Sequence, residues 1–309
     1  MTAISVIVPA RDAAATIADT LDGLAAQHDA PAHEVIVVDN GSHDATATIA
    51  ERHPLGPRVL HRARGGGPGL ARDDGVRAAT ADRLAFTDAD CRPAPGWLAA
   101  GARALDGADL VQGRVVPDPR APRARFDRTV SIERETGLYE TANLFLRRET
   151  WAAAEGFGPG LERDGRPFGE DTRLGWRARR AGARTAFCAA ALVQHAVFPG
   201  TYGDLLAERR RLRWFPGLVA ELPELRDGVL HRRVFLSPRT AAFDLAAAGA
   251  AVAAAARSPL PLLAALPYAR RLRREAGSDP AYAAALAAAD ALGALSLARG
   301  SLEARTPLL

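Results

Sequence analysis

Hydrophobic positions in the first 116 residues alternate between two spacings. Short β-branched and aliphatic runs of the kind that form buried strands occur at Ile4–Val8, Glu34–Val38, Val59–His61, Leu84–Thr87 and Leu110–Val115. Apolar residues at helical spacing fill the segments between them, at Ala14–Ala26, Asp44–Arg52, Leu70–Ala79 and Gly96–Leu105. Strands that alternate with amphipathic helices predict an α/β fold, with a mostly parallel central sheet flanked by helices.

A second group of elements follows a segment of different character. Residues 117–141 are rich in Arg and Pro and have no periodicity, which is typical of a connection that moves or covers a site. The predicted elements after it are a strand at Asn143–Arg147, a helix at Glu170–Arg180 and strands at Arg184–Phe187 and Leu192–His195. We therefore predict one domain over residues 1–200, with halves at about 1–116 and 117–200.

Residues 201–309 are predicted to form a helical, alanine-rich C-terminal extension. Thr240–Ala256 is almost wholly Ala, Gly and Val, and a second apolar run, Leu260–Ala269, leads into a cluster of arginines. Neither run has the roughly 20 residues that a transmembrane helix needs. Two interpretations stay open: a short hairpin that dips into a membrane and is anchored by cytoplasmic arginines, or a pair of helices in a soluble protein.

Composition narrows the class of protein only slightly. The chain has 309 residues, a net charge of +4 and a pI near 9.6, but it contains no lysine and a great deal of alanine, so the basicity reflects a compositional bias. We expect no nucleic-acid partner, and we interpret the Arg209–Arg213 cluster beside Trp214 and Phe215 as a solvated, lipid-facing or core-packed edge. Two cysteines and no evident signal peptide predict a cytoplasmic location, either free or at the inner face of the cell membrane.

Asp88 and Asp90 are the strongest chemical signal in the sequence. They follow an apolar strand in the segment Thr87–Cys91. Because residues two apart in an extended segment point to the same side, both carboxylates can converge on one hard cation. Mg²⁺ or Mn²⁺ at such a site would neutralise the charge that develops on a departing diphosphate. Taken alone, the pair also fits a solvated turn.

Asp39 ends the second predicted strand and precedes Asn40-Gly41-Ser42. A carboxylate and a tight turn at the carboxyl edge of a sheet lie where ligands bind in open α/β folds. Asp39 is therefore a candidate to hydrogen-bond a base or a ribose, with an ordinary loop acid as the alternative.

Four segments taken in order resemble one family. They are Val6–Arg11, Val38–Ser42, Ala71–Asp73 and Asp88–Asp90. Together they are similar to the nucleotide-sugar half of the family 2 glycosyltransferases, which are inverting enzymes of the GT-A fold. The donor residues that the resemblance implies are Pro9, Arg11 and Asp39 around the nucleoside, Arg72 near the diphosphate, and Asp88 and Asp90 for base, ribose and metal. The implied donor is a nucleoside diphosphate sugar, with UDP favoured. Asp12 and Asp73 depart from the family, which often has Asn there, so we doubt both as ligands.

Glu170 and Asp171 resemble the acidic segment on the acceptor side of the same family. An inverting transfer needs one base to deprotonate the acceptor hydroxyl. Neighbouring helical residues point about 100° apart, so both acids cannot take that role. The family's pattern implies Asp171 as the base and Glu170 as an acceptor contact or support. The alternative is two acids that stabilise a helix N-terminus.

Two further residues are candidates on weaker grounds. Asn143 matches a strand on the acceptor side of the family and is a candidate acceptor contact. His195 follows the last predicted strand and could complete the metal site together with Asp88 and Asp90, as a late histidine does in some GT-A enzymes. A lone histidine is also a common structural residue.

Other classes of protein fit the sequence less well. The glycine-rich segment Arg64–Gly69 does not follow the first strand, as a dinucleotide-binding loop would. No Gly-Lys-Ser or Gly-Lys-Thr exists in a chain without lysine, which excludes a P-loop. A phosphatase or nucleotidyltransferase would need neither Asp39 nor the acidic pair at residues 170 and 171. We therefore expect a metal-assisted, inverting glycosyltransferase, with a catalytically idle nucleotide-sugar-binding or membrane-surface scaffold as the alternative.

Overall fold

The structure is a computed structural model that describes residues 2–63, 66–158, 161–163 and 166–309. The chain divides into an N-terminal unit, Met1–Pro199, and a C-terminal unit, Gly200–Leu309. The glycine-rich segment considered above includes residues 64 and 65, which lie outside the described residues.

The N-terminal unit is built on one central sheet. In the described residues the sheet has eight strands: β1 Ile4–Ala10, β2 His33–Asp39, β3 Arg58–His61, β4 Arg83–Thr87, β5 Cys91–Pro93, β6 Leu110–Pro117, β7 Asn143–Arg147 and β10 Thr185–His195. Their order is β3-β2-β1-β4-β7-β6-β10-β5. Strands β3, β2, β1 and β4 are parallel, as are β6 and β10, whereas β7 and β5 are antiparallel to their neighbours. A separate two-stranded ribbon pairs β8 Leu161–Arg163 with β9 Arg166–Phe168. The predicted α/β fold with a mostly parallel sheet is confirmed.

Helices connect the strands of this sheet. They are α1 Ile17–Ala25, α2 Thr46–Arg52, α3 Pro68–Ala78, α4 Trp97–Ala104, α5 Arg148–Ala153 and α6 Glu170–Arg180. Helix α3 lies directly on β1, since a Cβ atom at Gly75 would come within 2.5 Å of Ile7 Cγ2. This close approach brings the N-terminal half of α3 toward the carboxyl ends of β1 and β4.

The sequence-based prediction was wrong in two details of the sheet. Arg184–Phe187 and Leu192–His195 belong to one strand, β10, whose register shifts between Cys188 and Leu192. The alanines between them carry no strand-like pattern, so a bulge was mistaken for a loop. The short strand β5 was not predicted either, because three residues give no measurable periodicity.

Residues 118–141 contain no helix or regular strand in the structure. Two isolated bridges, Val115 with Ile132 and Arg128 with Phe198, attach the segment to the edge of the sheet. The segment therefore runs along the carboxyl end of β6 and past the residues that follow β10.

The C-terminal unit is helical, as predicted. Its helices are α7 Tyr202–Arg211, α8 Phe215–Glu221, α9 Leu225–Gly228, α10 Pro238–Ala256, α11 Leu266–Ala276 and α12 Pro280–Ala304, with short 3₁₀ segments at Leu212–Trp214 and Leu260–Ala265. Among the described helices, α12 is long and apolar enough to cross a membrane, a property that core helices of soluble proteins share. The apolar runs singled out in the sequence correspond to α10 and the 3₁₀ segment after it, and not to α12.

Candidate active site

An open cleft of about 310 Å³ lies at the carboxyl ends of β1 and β4. Its lining is Pro9, Arg11, Asp12, Ala13, Ala15, Thr16, Pro68, Arg72, Asp88, Ala89, Asp90 and Phe198. Strands β1 and β4 are parallel neighbours, so the residues that follow them meet at one edge of the sheet. Five of the residues predicted to bind donor or metal, Pro9, Arg11, Arg72, Asp88 and Asp90, share this cleft.

Arg72 is a buried cation between two groups of acids. Its Nη2 donates to Asp88 Oδ1 at 2.7 Å, and its Nη1 lies 3.9 Å from Glu170 Oε1. Burial alone would lower the pKa of Arg72. The charges of Asp88, Glu170 and Asp171 outweigh this effect and raise the pKa, so the guanidinium stays charged. Its Nε is buried and has no hydrogen-bond partner within the described residues. Arg72 therefore links the cleft to the acids at the start of α6.

Asp90, Cys91 and His195 offer ligand atoms that all lie within 4.8 Å of one another. His195 Nδ1 is 2.6 Å from the carbonyl oxygen of Ala196, which can only accept, so Nδ1 carries the proton. Its Nε2 lies 3.7 Å from Asp90 Oδ2. One cation could bind this ring nitrogen and this carboxylate oxygen together, and a ring nitrogen that donates to a backbone carbonyl is typical of metal-binding histidines.

Burial, and next the charge of Asp88, raises the pKa of Asp90, whereas His195 lowers it. A divalent cation would relieve the repulsion between the two carboxylates. Burial also raises the pKa of the Cys91 thiol well above its ordinary value, and Asp88 and Asp90 add to this effect. A protonated thiol is a poor ligand for Mg²⁺ or Mn²⁺, so Asp90 and His195 are the members of this group that suit such a cation. That Asp88 joins them stays a prediction.

Asp39 lies at the end of β2, next to Ala10 of β1, but it does not line the cleft. Its Oδ1 accepts from the backbone N–H of Ser42 at 3.2 Å, and its Oδ2 is 3.7 Å from His61 Nδ1. The carboxylate is buried and fixes the turn after β2. The contact with a base or ribose stays a prediction.

The two aspartates that depart from the family pattern have different surroundings. Asp12 lines the cleft in a left-handed backbone conformation (φ 49°), and its Oδ1 accepts from the backbone N–H of His43. Asp73 is buried on α3 and accepts from Trp151 Nε1 and from the backbone N–H groups of Phe157 and Gly158, all at 2.8–2.9 Å. Asp73 therefore ties α3 to the loop after α5, a structural role that the sequence did not reveal.

Helix α6 begins at Glu170, as predicted, and carries both acids in its first turn. Glu170 is buried beside Arg72, and Asp171 Oδ1 accepts from the backbone N–H of Thr172 at 2.8 Å. Burial first, and then the charges of Glu170 and Glu140, raise the pKa of Asp171 to about 7, against the lowering effect of Arg72. A carboxylate with this pKa can accept a proton near neutral pH.

Glu140 is an acid near this site that sequence analysis missed. Burial raises its pKa, and its Oε2 has no hydrogen-bond partner among the described residues. It lies in the aperiodic segment 117–141, where no pattern marks one acid among several. The charge of Glu140 contributes to the raised pKa of Asp171, so the two carboxyl groups interact.

Asn143 lies inside the sheet, where an acceptor cannot reach it. The residue has no exposed surface, its Nδ2 donates to the carbonyl oxygens of Arg114 and Ala191, and its Oδ1 accepts from Trp97 Nε1 at 2.8 Å. All its side-chain polar atoms are paired within the protein, so we no longer assign it an acceptor contact. Its visible role is to join β7 to β6 and β10.

The sheet order, the cleft at its carboxyl edge and the aspartate pair after β4 define a GT-A type glycosyltransferase fold. Residues 5–163 match the model of the family described as "Glycosyl transferase family 2". This chain belongs to that family and is a glycosyltransferase.

Two curated relatives are glycosyltransferases as well. Glycosyltransferase AglE of Haloferax volcanii is 29% identical over 229 residues, which cover 68% of this chain and 71% of that protein. The pre-mycofactocin glycosyltransferase of Mycobacterium tuberculosis is 29% identical over 215 residues, which cover 62% of this chain and 42% of that protein.

Two solved structures share the fold at low identity. The mannosyltransferase PcManGT of Pyrobaculum calidifontis, in complex with GDP-Man and Mn²⁺, has a TM-score of 0.57 and 21% identity, covering 98% of this chain and 86% of that one. Residues 1–349 of S. aureus TarS, in complex with UDP-GlcNAc, have a TM-score of 0.53 and 19% identity, covering 99% and 93%.

Proposed function

We propose that this enzyme transfers a sugar from a nucleoside diphosphate sugar to an acceptor hydroxyl with inversion, assisted by Mg²⁺ or Mn²⁺. The observation that carries the proposal is the single cleft shared by Pro9, Arg11, Arg72, Asp88 and Asp90. The two neighbours of the fold bind UDP-GlcNAc and GDP-Man, which supports a nucleotide-sugar donor in general. UDP remains our first expectation for the nucleotide.

The donor would bind with its nucleoside near Pro9, Arg11 and Asp39 and its diphosphate near Arg72. A buried guanidinium attracts a diphosphate strongly, because few water molecules screen it. Its contacts with Asp88 and Glu170 hold it in place before the donor arrives, so little reorganisation is needed.

Asp88, Asp90 and His195 would hold the cation. When bound there, a divalent cation supplies neutralising charge for the diphosphate leaving group. The fit is supported by His195 Nε2, which lies 3.7 Å from Asp90 Oδ2 while Nδ1 donates to the carbonyl oxygen of Ala196. Asp88 also accepts from Arg72, so this carboxylate connects the cation site with the diphosphate site.

Asp171 would act as the base in a single displacement. Its raised pKa of about 7 leaves it partly ionised at neutral pH and basic enough to remove the proton of an attacking hydroxyl. Glu170 is close to Arg72 and is suited to contact the acceptor or to support Asp171, since its own charge contributes to the raised pKa of that neighbour.

We infer that the reaction takes place in the cytoplasm, with the C-terminal region, residues 201–309, in contact with the inner face of the cell membrane. The exposed leucines of that region support this location. In this proposal the donor half, at about 1–116, and the acceptor half, at about 117–200, form one catalytic domain.

The experiment that tests the function is a thermal-shift and product screen against UDP-, GDP- and other nucleotide sugars, with and without Mn²⁺. We expect one donor to raise the melting temperature in a metal-dependent manner and to be hydrolysed slowly or transferred. NMR of the product then reports the anomeric configuration and tests inversion. If no nucleotide sugar stabilises the protein under any metal condition, the donor site is wrong and an idle scaffold becomes the better explanation.

A further inference from the structure

Unusually much apolar surface is exposed on one hairpin of the C-terminal unit, which consists of α10, the 3₁₀ segment after it and α11. Leu260 is 72% exposed and Leu263 is 62% exposed, and Val252, Leu262 and Leu266 are each about half exposed. The second half of α10, residues 246–256, contains only Ala, Gly and Val. We call these exposed residues, from Val252 to Leu266, the apolar tip. Contiguous exposed leucines are uncommon on a freely soluble surface and mark an interaction site.

Unpaired positive charge adjoins the apolar tip. Exposed arginines occupy positions 257, 270, 271, 273 and 274, and none of them makes an ion pair in the part of the chain that the structure describes. Glu275, the acid nearest to them in sequence, pairs with Arg239 instead. The charge of this basic cluster is therefore available to an anionic partner.

The hairpin is held in a fixed shape. A Cβ atom at Gly249 would come within 2.6 Å of the carbonyl oxygen of Pro261, so α10 and the 3₁₀ segment are in direct contact. Tyr268 of α11 packs edge-on against Phe243 of α10 and donates its hydroxyl to Asp290 of α12 at 2.8 Å. The inner face of α11 is thus anchored, and its outer face presents leucine and arginine to solvent.

Leucine and arginine side chains lie next to each other on the exposed surface of this hairpin. Leu266 and Arg270 are one helical turn apart on the same face of α11, and both are exposed. Interfacial helices bury their apolar side about 5–10 Å into the boundary between headgroups and acyl chains, with Lys and Arg at the phosphates. Leucines can therefore enter the apolar layer while the arginines stay at its charged surface.

We propose that the apolar tip and the basic cluster bind the surface of a membrane that contains anionic phospholipids. The inference specifies the membrane contact proposed above and does not depend on the donor chemistry. Helix α12 also exposes Leu295 and Leu302, but its Arg299 pairs with Glu303 at 3.0 Å and its Asp290 pairs with Arg239 at 2.7 Å, so we place the contact at the apolar tip, beside the basic cluster. The proposed contact is with the surface of the bilayer.

The test is co-sedimentation of the full chain with vesicles of phosphatidylcholine alone and of phosphatidylcholine with about 30% phosphatidylglycerol. We expect binding to the anionic vesicles that weakens as salt increases. Each arginine near such a surface contributes about fivefold to the partition coefficient. Arg270→Gln with Arg273→Gln should therefore lower it about 25-fold, and Leu260→Ser with Leu263→Ser should lower it by roughly tenfold or more.

The matched control is Arg52→Gln with Arg103→Gln, which removes the same charge from exposed positions of the N-terminal unit and should leave binding nearly unchanged. Equal binding to neutral and anionic vesicles, or an equal loss in the control, would overturn the proposal. A different result would also overturn it: the native protein does not bind vesicles and sediments as a dimer, and Leu260→Ser with Leu263→Ser converts this dimer to a monomer. The apolar tip would then contact a second copy of the chain. The donor should raise the melting temperature of all these variants as it does that of the native protein. A failure of the membrane proposal can therefore be distinguished from a failure of the proposed donor site.

Discussion

Replacement of Asp171 by Asn tests the catalytic proposal most directly. The change keeps the shape of the side chain and the oxygen that accepts from Thr172, but it removes the basic carboxylate. General-base catalysis contributes about 10²–10⁴-fold to rates, so kcat should fall by about that factor. Donor affinity should change little, because the cleft lining does not include Asp171.

The pH profile gives the same prediction a magnitude. With a pKa of about 7, roughly half of the Asp171 carboxyls are ionised at pH 7 and about one tenth at pH 6. The kcat of the native enzyme, measured at saturating donor and metal, should therefore fall about tenfold per pH unit below 7. Saturation with metal matters, because burial also raises the pKa of Asp90 and protonation of this carboxylate would weaken metal binding.

Stability should move in the opposite direction to activity. The pKa of Asp171 is higher in the folded protein than in the unfolded chain, so its ionisation costs folding free energy that is absent below about pH 4 and complete above about pH 7. The Asn variant lacks this cost. Its melting temperature above pH 7 should rise by roughly 2–4 °C, which corresponds to about 1 kcal/mol after allowance for the partly exposed carboxyl and for Arg72.

Asp12→Asn is the control, because it neutralises a carboxylate that lines the cleft and lies in a backbone conformation that Asn tolerates. It should keep both the rate and the acidic limb of the profile. Transfer by Asp171→Asn within about threefold of the native rate, or an unchanged acidic limb in that variant, would show that another group is the base. Glu140 would then be the next acid to test.

Two further predictions concern the metal and the scaffold of the site. Asp90→Ala should weaken Mn²⁺ binding by at least about tenfold, measured by calorimetry or electron paramagnetic resonance, whereas Cys91→Ser should leave it nearly unchanged. An equal loss in both variants would show that the thiol is a ligand. Asp73→Ala should lower the free energy of unfolding by about 2–4 kcal/mol, because Trp151 and two backbone N–H groups lose their acceptor. Denaturant titration measures this change, and a value below about 0.5 kcal/mol would contradict this account.

Sequence patterns predicted the sheet and its edge well, for a physical reason. Strands β1, β2 and β4 are short, mostly buried runs separated by helices, so hydrophobic spacing identifies them, whereas β3 is a partly exposed edge strand. Parallel pairing then brings the ends of β1 and β4 together. The resemblance to a family added the residue roles. The tertiary surroundings of a polar residue were harder to predict. From the sequence, Asn143 is a candidate acceptor contact and Asp73 a doubtful ligand. Neither pattern indicates that the polar atoms of these residues are bonded inside the fold.

The acids near α6 show why such surroundings matter for function. An aspartate in the first turn of a helix is usually ionised and favourable, because it lies at the positive end of the helix dipole. Asp171 has the opposite character, since burial and the charges of Glu170 and Glu140 outweigh the positive charge of Arg72. Arg72 in turn pairs with Asp88 beside the proposed cation site. A diphosphate bound beside Arg72 would offset part of its positive charge without moving it, which would weaken the lowering effect of Arg72 on the pKa of Asp171 and make Asp171 more basic. Donor binding and proton abstraction would then be coupled through one buried side chain.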